Sequence, residues 1–296
     1  MKKKKSYHQE RIVEIILTLF ASVSILTTIG IVVSLFFESF IFFNEVSMVE
    51  FFTTIRWAPV FHPPSFGVLP LVSGTLLIAF LSSIVSLPLG LGSAIFLSEF
   101  ASTKARKILK PILELLAGVP SIVYGYFALT FITPLLRTFL PETEIFNALS
   151  ASIAVGIMTL PMVASLSEDA MMAVPNSIRQ GAYALGSTQL EVSTHVIVPA
   201  AFSGIASSFV LAISRAVGET MIVAIAAGQT PSMSLNPLGS IQTMTGFMVN
   251  MALGDIQQGS IEFKTVFVVG IVLFIITFIM NMIAKWIIAR NREVYT

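Results

Sequence analysis

Apolar residues along this chain gather in long unbroken runs, with no alternation and no single helical stripe. The runs lie near residues 15–37, 67–97, 111–136, 145–166, 196–228 and 266–284. A bilayer core about 30 Å thick is crossed by roughly 20 helical residues at about 1.5 Å rise each, and every run reaches that length. A lipid-facing β-strand would alternate over about ten residues, so continuous runs predict helices in which every backbone hydrogen bond is made internally. The pattern therefore predicts an all-α integral membrane protein with six transmembrane helices. The segment 229–262 mixes Pro231, Pro237 and Gly239 with an apolar patch at 247–253, which is too short to be a seventh span.

Composition reinforces this reading. Of the 296 residues 55% are hydrophobic and 11% charged, where a soluble domain carries about 25% charge; mean hydropathy is +0.89. The chain lacks cysteine, which excludes disulfides, thiolate metal sites and thiol catalysis. His8, His62 and His195 are scattered without metal-ligand spacing, and no Gly-x4-Gly-Lys-Ser/Thr phosphate loop is present. No cofactor, no metal, no nucleic-acid partner and no enzymatic chemistry are expected; any ATP hydrolysis belongs to a partner. The first run follows Lys2, Lys3, Lys4, Lys5 and Arg11. It is too long for a signal-peptide core of roughly 7–15 residues and reads as a retained first helix.

Basic residues set the expected orientation, since cytoplasmic loops are enriched in Lys and Arg. Lys2, Lys3, Lys4, Lys5, Arg11, Lys104, Arg106, Lys107, Lys110, Arg179, Lys285, Arg290 and Arg292 fall on one side of a six-span arrangement, and Arg56, Arg137 and Lys264 on the other. Both termini are then cytoplasmic, with cytoplasmic loops near 98–110 and 167–195 and external loops near 38–66, 137–144 and 229–262. Trp57, Pro59, His62, Pro63 and Pro64 suit an extended external segment with an aromatic anchor at the membrane interface; it serves as a plain connector or a contact for an external partner.

Between the fourth and fifth runs, Pro175 suits a helix start with Asn176 or Ser177 nearby for capping, Gly186 suits a sharp turn, and Pro199 opens the next span. This predicts a helix, a turn and a second helix outside the membrane, which on physical grounds alone could be an ordinary connection. The stretch resembles the cytoplasmic coupling motif of ABC-importer permeases, Glu-Ala-Ala, three residues, Gly, nine residues, Ile-x-Leu-Pro. Ala182, Gly186, Val196, Val198 and Pro199 match it, while Gln180 and Gly181 depart from its leading Glu-Ala. The segments Trp57-Ala-Pro-Val-Phe, Phe66-Gly-Val-Leu-Pro, Leu116-Ala-Gly-Val-Pro-Ser-Ile-Val-Tyr-Gly and Ser214-Arg-Ala-Val-Gly-Glu-Thr-Met are similar to the phosphate-import permease family of the PstC type, from about residue 50 onward.

The resemblance implies a MetI-like permease fold in a bacterial or archaeal cytoplasmic membrane. It implies four kinds of partner: a second permease, two ATP-binding cassette ATPase subunits, an external phosphate-binding protein and surrounding lipid. Inorganic phosphate is then the substrate. The same architecture could import molybdate or sulfate, and an ATP-independent channel or transporter is the rival of a different class. The expected organisation is 1–66 for the basic tail, first helix and external loop, 67–290 for a core containing the coupling loop 171–199, and 291–296 for a short tail.

Arg215 sits deep in the fifth run, where a charge costs about 2.5–3.5 kcal/mol on insertion scales. Glu219, four residues on, would share a helix face with it and neutralise it. The pair either meets phosphate in the translocation path, as the resemblance implies, or fixes helix packing and register. Glu114, Glu168 and Asp169 are expected at helix ends near headgroup water, with Asp169 able to reach the coupling loop. Pro70, Pro88, Pro120, Pro161, Gly74, Gly90, Gly92 and Gly118 interrupt the spans either as kinks or as ordinary packing residues.

Overall fold

The computed structural model describes the backbone of residues 2–290 and the side chains of residues 10–286. The side chains of Lys2, Lys3, Lys4, Lys5, His8 and Arg290, and the whole segment 291–296 with Arg292, lie outside the described residues. In chain order the helices are α1 (Lys2–Glu45), α2 (Met48–Thr53), α3 (Leu69–Ile95), α4 (Thr103–Ala117), α5 (Ser121–Phe127), α6 (Thr133–Phe139), α7 (Ala148–Met172), α8 (Asn176–Ala184), α9 (Gln189–Glu191), α10 (Val198–Ala200), α11 (Phe202–Val217), α12 (Met221–Ala226), α13 (Met244–Leu253) and α14 (Ile261–Arg290). Wider π-helical turns extend α3 over Phe96–Phe100, join α5 to α6 over Ala128–Ile132 and join α9 to α10 over Val192–Ile197. The β structure among the described residues is one antiparallel ribbon, β1 (Trp57–Ala58) against β2 (Ser65–Phe66), with Trp57 opposite Phe66.

Among the described residues five helices are long and apolar enough to cross a membrane: Glu10–Glu45, Leu69–Phe100, Ser121–Phe139, Ala148–Met172 and Ile261–Trp286. A sixth crossing forms if Gln189–Ala200 and Phe202–Val217, which meet at 73°, are counted together. All six predicted runs thus contain a helix, but two boundaries are corrected. The third span starts at Ser121, because Gly118-Val119-Pro120 ends α4 and removes the helix-continuing N–H of Pro120. Glu114 therefore lies on α4 and outside the membrane crossing. The fifth run is discontinuous: the helix bends at Ala201 and stops at Val217, so Val196 and Pro199 lie on the first arm of the bent pair and the longer arm starts after the bend, at Phe202.

The centre of the bundle is the crossing of α3 with α7, where small residues let backbones approach. A Cβ at Gly90 would stand 2.6 Å from Val163, and one at Gly156 would stand 2.8 Å from the Val85 side chain. Gly90 is thus a packing residue, and Pro88 and Pro161 are carried inside continuous helices. Ile78, Ala151, Ala154, Val155 and Ile222 fill the core around this crossing. α1 lies against α14 and is tied to it by Lys264 and Glu45, 2.7 Å apart. At that end of the bundle Phe42, Phe51, Trp57, Phe66 and Phe247 form an aromatic cluster, with Trp57 edge-on to Phe247 at 4.9 Å between centroids. Trp57 is 3% exposed, so it anchors the ribbon to the bundle and is not an interfacial anchor.

α4 is amphipathic, with Arg106 and Lys110 turned toward the C-terminal end of α7. There Glu168, fully buried, meets Arg106 and Lys110, the latter at 2.9 Å, as charge contacts without aligned hydrogen bonds; Lys110 also donates to Asp169 at 2.9 Å. Asp169 therefore pairs with α4 and not with the 171–199 loop. The Glu168 carboxylate raises the Lys110 ammonium above its ordinary value, against an opposing effect of burial. Removing both cations, as in Arg106→Ala with Lys110→Ala, would leave a buried carboxylate uncompensated, at a cost of about 3–5 kcal/mol. The expected result is a marked fall in the thermal midpoint of the detergent-solubilised protein, with Glu168→Gln in the same background restoring most of it.

Candidate functional site: the α11 face and the 171–199 loop

α11 buries Ile205, Ser208, Ala212 and Ala216 against its neighbours. Ser203, Ser207, Leu211, Ser214, Arg215 and Gly218 recur at three- and four-residue spacings on its other side, where they are partly or fully exposed. A membrane helix that turns serines and an arginine outward is poorly suited to lipid and well suited to a protein partner or a wet passage. Arg215 Nη2 approaches Met158 Sδ at 3.7 Å, and Ser214 Oγ donates to Asn281 Oδ1 at 3.3 Å. Met158 lies ten residues into α7, about 15 Å along its axis, which places the guanidinium deep within the bundle.

The expected Arg215–Glu219 pairing is not formed. α11 ends at Val217, so the two residues do not lie on one continuous helix. Glu219 is 8% exposed, and its Oε1 accepts from the backbone N–H groups of Met221 and Ile222 at 3.1 and 3.2 Å. Its carbonyl accepts from Thr245 Oγ1 at 2.6 Å. The carboxylate thus caps α12 and, through its backbone, ties the break to α13. Arg215 has no ion-pair partner among the described residues and lies on an exposed face.

The 171–199 loop is a helix, a turn and a second helix, as the proline and glycine pattern predicts. Pro175 occupies the N-cap position of α8 without a side-chain cap, and Gly186 turns the chain at φ +85°. Thr188 and Glu191 then form a reciprocal capping box at the start of α9; the Thr188 N–H and hydroxyl hold the Glu191 carboxyl below its usual range. Ala182, Val196 and Val198 pack inward against a cluster of Ala94, Met171, Val174, Val192, Ile197, Ala201 and Ile205. The motif positions therefore hold the hairpin together. Its outer surface is made by residues that motif matching did not single out: Leu185 is 88% exposed, Leu190 62% and Tyr183 45%. Their signal was apolar character in a segment otherwise outside the membrane.

Residues 86–293 match the family model described as the binding-protein-dependent transport system inner membrane component. The chain belongs to this family. As a member of the binding-protein-dependent permeases it is a multi-pass inner-membrane transport subunit without catalytic chemistry of its own. It is 35% identical over 249 residues to a probable ABC transporter permease, YqgH, of Bacillus subtilis, covering 84% of this chain and 80% of that one. It is 30% identical over 283 residues to the phosphate transport system permease protein PstC of Mesorhizobium japonicum, covering 88% of this chain and 84% of that one.

Two solved structures show the same permease fold. One, a bacterial alginate ABC transporter in complex with an alginate pentasaccharide-bound periplasmic protein, superposes with a TM-score of 0.66 at 14% identity over 94% of this chain and 96% of that one. The other, the inward-facing MetNI methionine ABC transporter, gives 0.57 at 16% identity over 77% of this chain and 95% of that one. These likenesses are of fold, and they bear out the MetI-like architecture expected from the sequence.

Proposed function

We propose that this permease forms, with a second permease, the pathway of an ATP-driven importer of inorganic phosphate. The observation that carries the reading is the Arg215 guanidinium: exposed, halfway along the bundle, without a carboxylate partner among the described residues, and set among serines on one face of α11. Guanidinium is always charged and offers parallel N–H donors that fit an oxyanion's two oxygens. A partner permease placed across this face would shield the charge from lipid and leave a narrow polar passage. A single cation binds a passing anion while allowing its release. The naming of several relatives at about 30% identity as phosphate permeases supports phosphate over other oxyanions.

In this reading the Gly186 end is cytoplasmic, with both termini on that side. The Leu185–Leu190 tip enters a groove of an ATPase subunit, one of two in the complex, and an external binding protein delivers phosphate to the opposite end. Closure of the ATPase pair moves the hairpin, the helices reorient, and phosphate passes Arg215. Glu219 shapes the passage by fixing the break between α11 and α12.

The test is uptake of radiolabelled phosphate by cells that lack this chain and retain its partners. Wild type should restore uptake, and a hundredfold excess of sulfate or molybdate should leave it unchanged. Failure of well-expressed wild type to restore phosphate uptake, with restoration of labelled sulfate or molybdate uptake that phosphate does not compete, would transfer the reading to another oxyanion. Uptake that continues without ATP would favour a channel or ion-coupled carrier.

A further inference from the structure

The loop is joined to the membrane helices by a polar contact that none of the motif positions accounts for. Arg179, four residues into α8, is nearly buried, and both terminal nitrogens of its guanidinium are engaged. Nη1 donates to the Val174 carbonyl at 2.6 Å and to Asn176 Oδ1 at 3.4 Å, and Nη2 donates to the Met171 carbonyl at 2.7 Å. Nη2 also pairs with Glu99 Oε1 at 3.1 Å, the two side chains being 13% and 5% exposed. Arg179 thus closes the end of α7 and grips the end of α3 at once.

Glu99 is placed by the π-helical turn Phe96–Phe100, which closes with the Ala101 N–H on the Phe96 carbonyl at 2.8 Å. The widened turn brings the carboxylate to Arg179, and Ser98 Oγ donates to the same Oε1 at 2.7 Å. The backbone carbonyl of Glu99 accepts from the Gln189 amide of α9. Both arms of the hairpin therefore converge on one residue of α3, α8 through a charge pair and α9 through an amide. The remaining link of α8 to the bundle is apolar, through Ile178 and Ala182, and permits sliding.

We infer that Glu99 and Arg179, with Gln189, form the positioning joint that carries movement of the hairpin into α3. An apolar contact has no preferred direction, whereas an ion pair whose arginine donates to four fixed acceptors transmits a pull as well as a push. The inference rests on the proposed coupling of this loop to an ATPase. Loss of the joint should then separate ATP hydrolysis from transport while leaving the hairpin tip free to dock.

The experiment uses the complete complex with its ATPase subunits and external binding protein, reconstituted in liposomes. It compares wild type with Arg179→Ala, Glu99→Gln and Gln189→Leu. Basal hydrolysis is expected to stay within about twofold of wild type. Stimulation by the binding protein and phosphate taken up per ATP should fall about tenfold in Arg179→Ala, and less in the other two, within the range of ordinary coupling energies. A proportional fall of uptake and hydrolysis would make the joint merely structural and overturn the inference, as would wild-type coupling in all three variants. Should Arg179→Ala fail to assemble, the same readings on Glu99→Gln, which preserves volume and the bond from Ser98, decide it. If wild type takes up no phosphate, the substrate reading fails by itself, and the ratio of stimulated to basal hydrolysis still decides the joint.

Discussion

Arg215→Ala is expected to reduce phosphate uptake by a factor of about a hundred or more while the protein inserts, assembles and hydrolyses ATP normally. Among the described residues the side chain touches little: the approach of Nη2 to Met158 Sδ at 3.7 Å is weak, and no carboxylate reaches it. Truncation therefore removes no structural contact of consequence and relieves part of the about 2.5–3.5 kcal/mol that an arginine costs in a membrane helix. What is lost is the interaction with the anion. Two charge-assisted hydrogen bonds of about 1.5–3 kcal/mol each correspond to roughly two to four orders of magnitude in the rate of passage. Arg215→Lys keeps the charge without the parallel donors and should fall between wild type and Ala. Labelled phosphate uptake, normalised to permease in isolated membranes, measures the effect; ordinary uptake by well-expressed Arg215→Ala would remove this residue from the pathway.

The same helix shows what could and could not be read from the sequence. Arg215 was visible because a charge inside an apolar run has few explanations. Its partner is not legible, because a four-residue spacing implies a shared helix face only where the helix continues, and α11 stops at Val217. Gly218-Glu219-Thr220 carries no proline, so the end of α11 at Val217 leaves little local signal. The break is stabilised from elsewhere, by Thr245 on α13 holding the Glu219 carbonyl and by the carboxylate capping α12.

Trp57 illustrates the same limit. An aromatic beside prolines at a span end fits an interfacial anchor, but the structure buries it among Phe51, Phe66 and Phe247, residues remote in sequence. By contrast, the existence of the membrane-spanning runs, the Gly186 turn and the helices flanking it depend on local rules of length and backbone conformation, and these are legible. The third span was legible in existence but not in its start, because α4 presents enough apolar surface to merge with it in a count that ignores amphipathic spacing. The Glu99–Arg179 pair was invisible for a further reason: the two residues are 80 positions apart and meet through a π-helical turn that no composition rule announces.

Leu185→Asp is expected to uncouple the permease from its ATPase more completely than any change at the motif positions themselves. A leucine that is 88% exposed at the tip of a polar hairpin, with Leu190 at 62% and Tyr183 at 45% beside it, is an apolar patch held away from the chain's own core. Burying one leucine in a groove contributes about 1.5–3 kcal/mol, and replacing it with a carboxylate adds the desolvation of a charge. Together these should weaken association of the ATPase by at least a hundredfold, read as loss of co-purification in detergent and of ATP-dependent uptake.

Gly186→Val provides the contrast. No atom lies within 4 Å of where its Cβ would stand, so no clash arises, and the penalty is the left-handed φ of +85°, about 1–2 kcal/mol. That variant should distort the tip and weaken docking about tenfold while leaving a detectable complex. Arg215→Ala, far from the hairpin, should co-purify with the ATPase as wild type does. If Leu185→Asp also co-purified normally, the docking surface would have to lie elsewhere on the hairpin, and the outward tip would lose its assigned role even though the fold and family would stand.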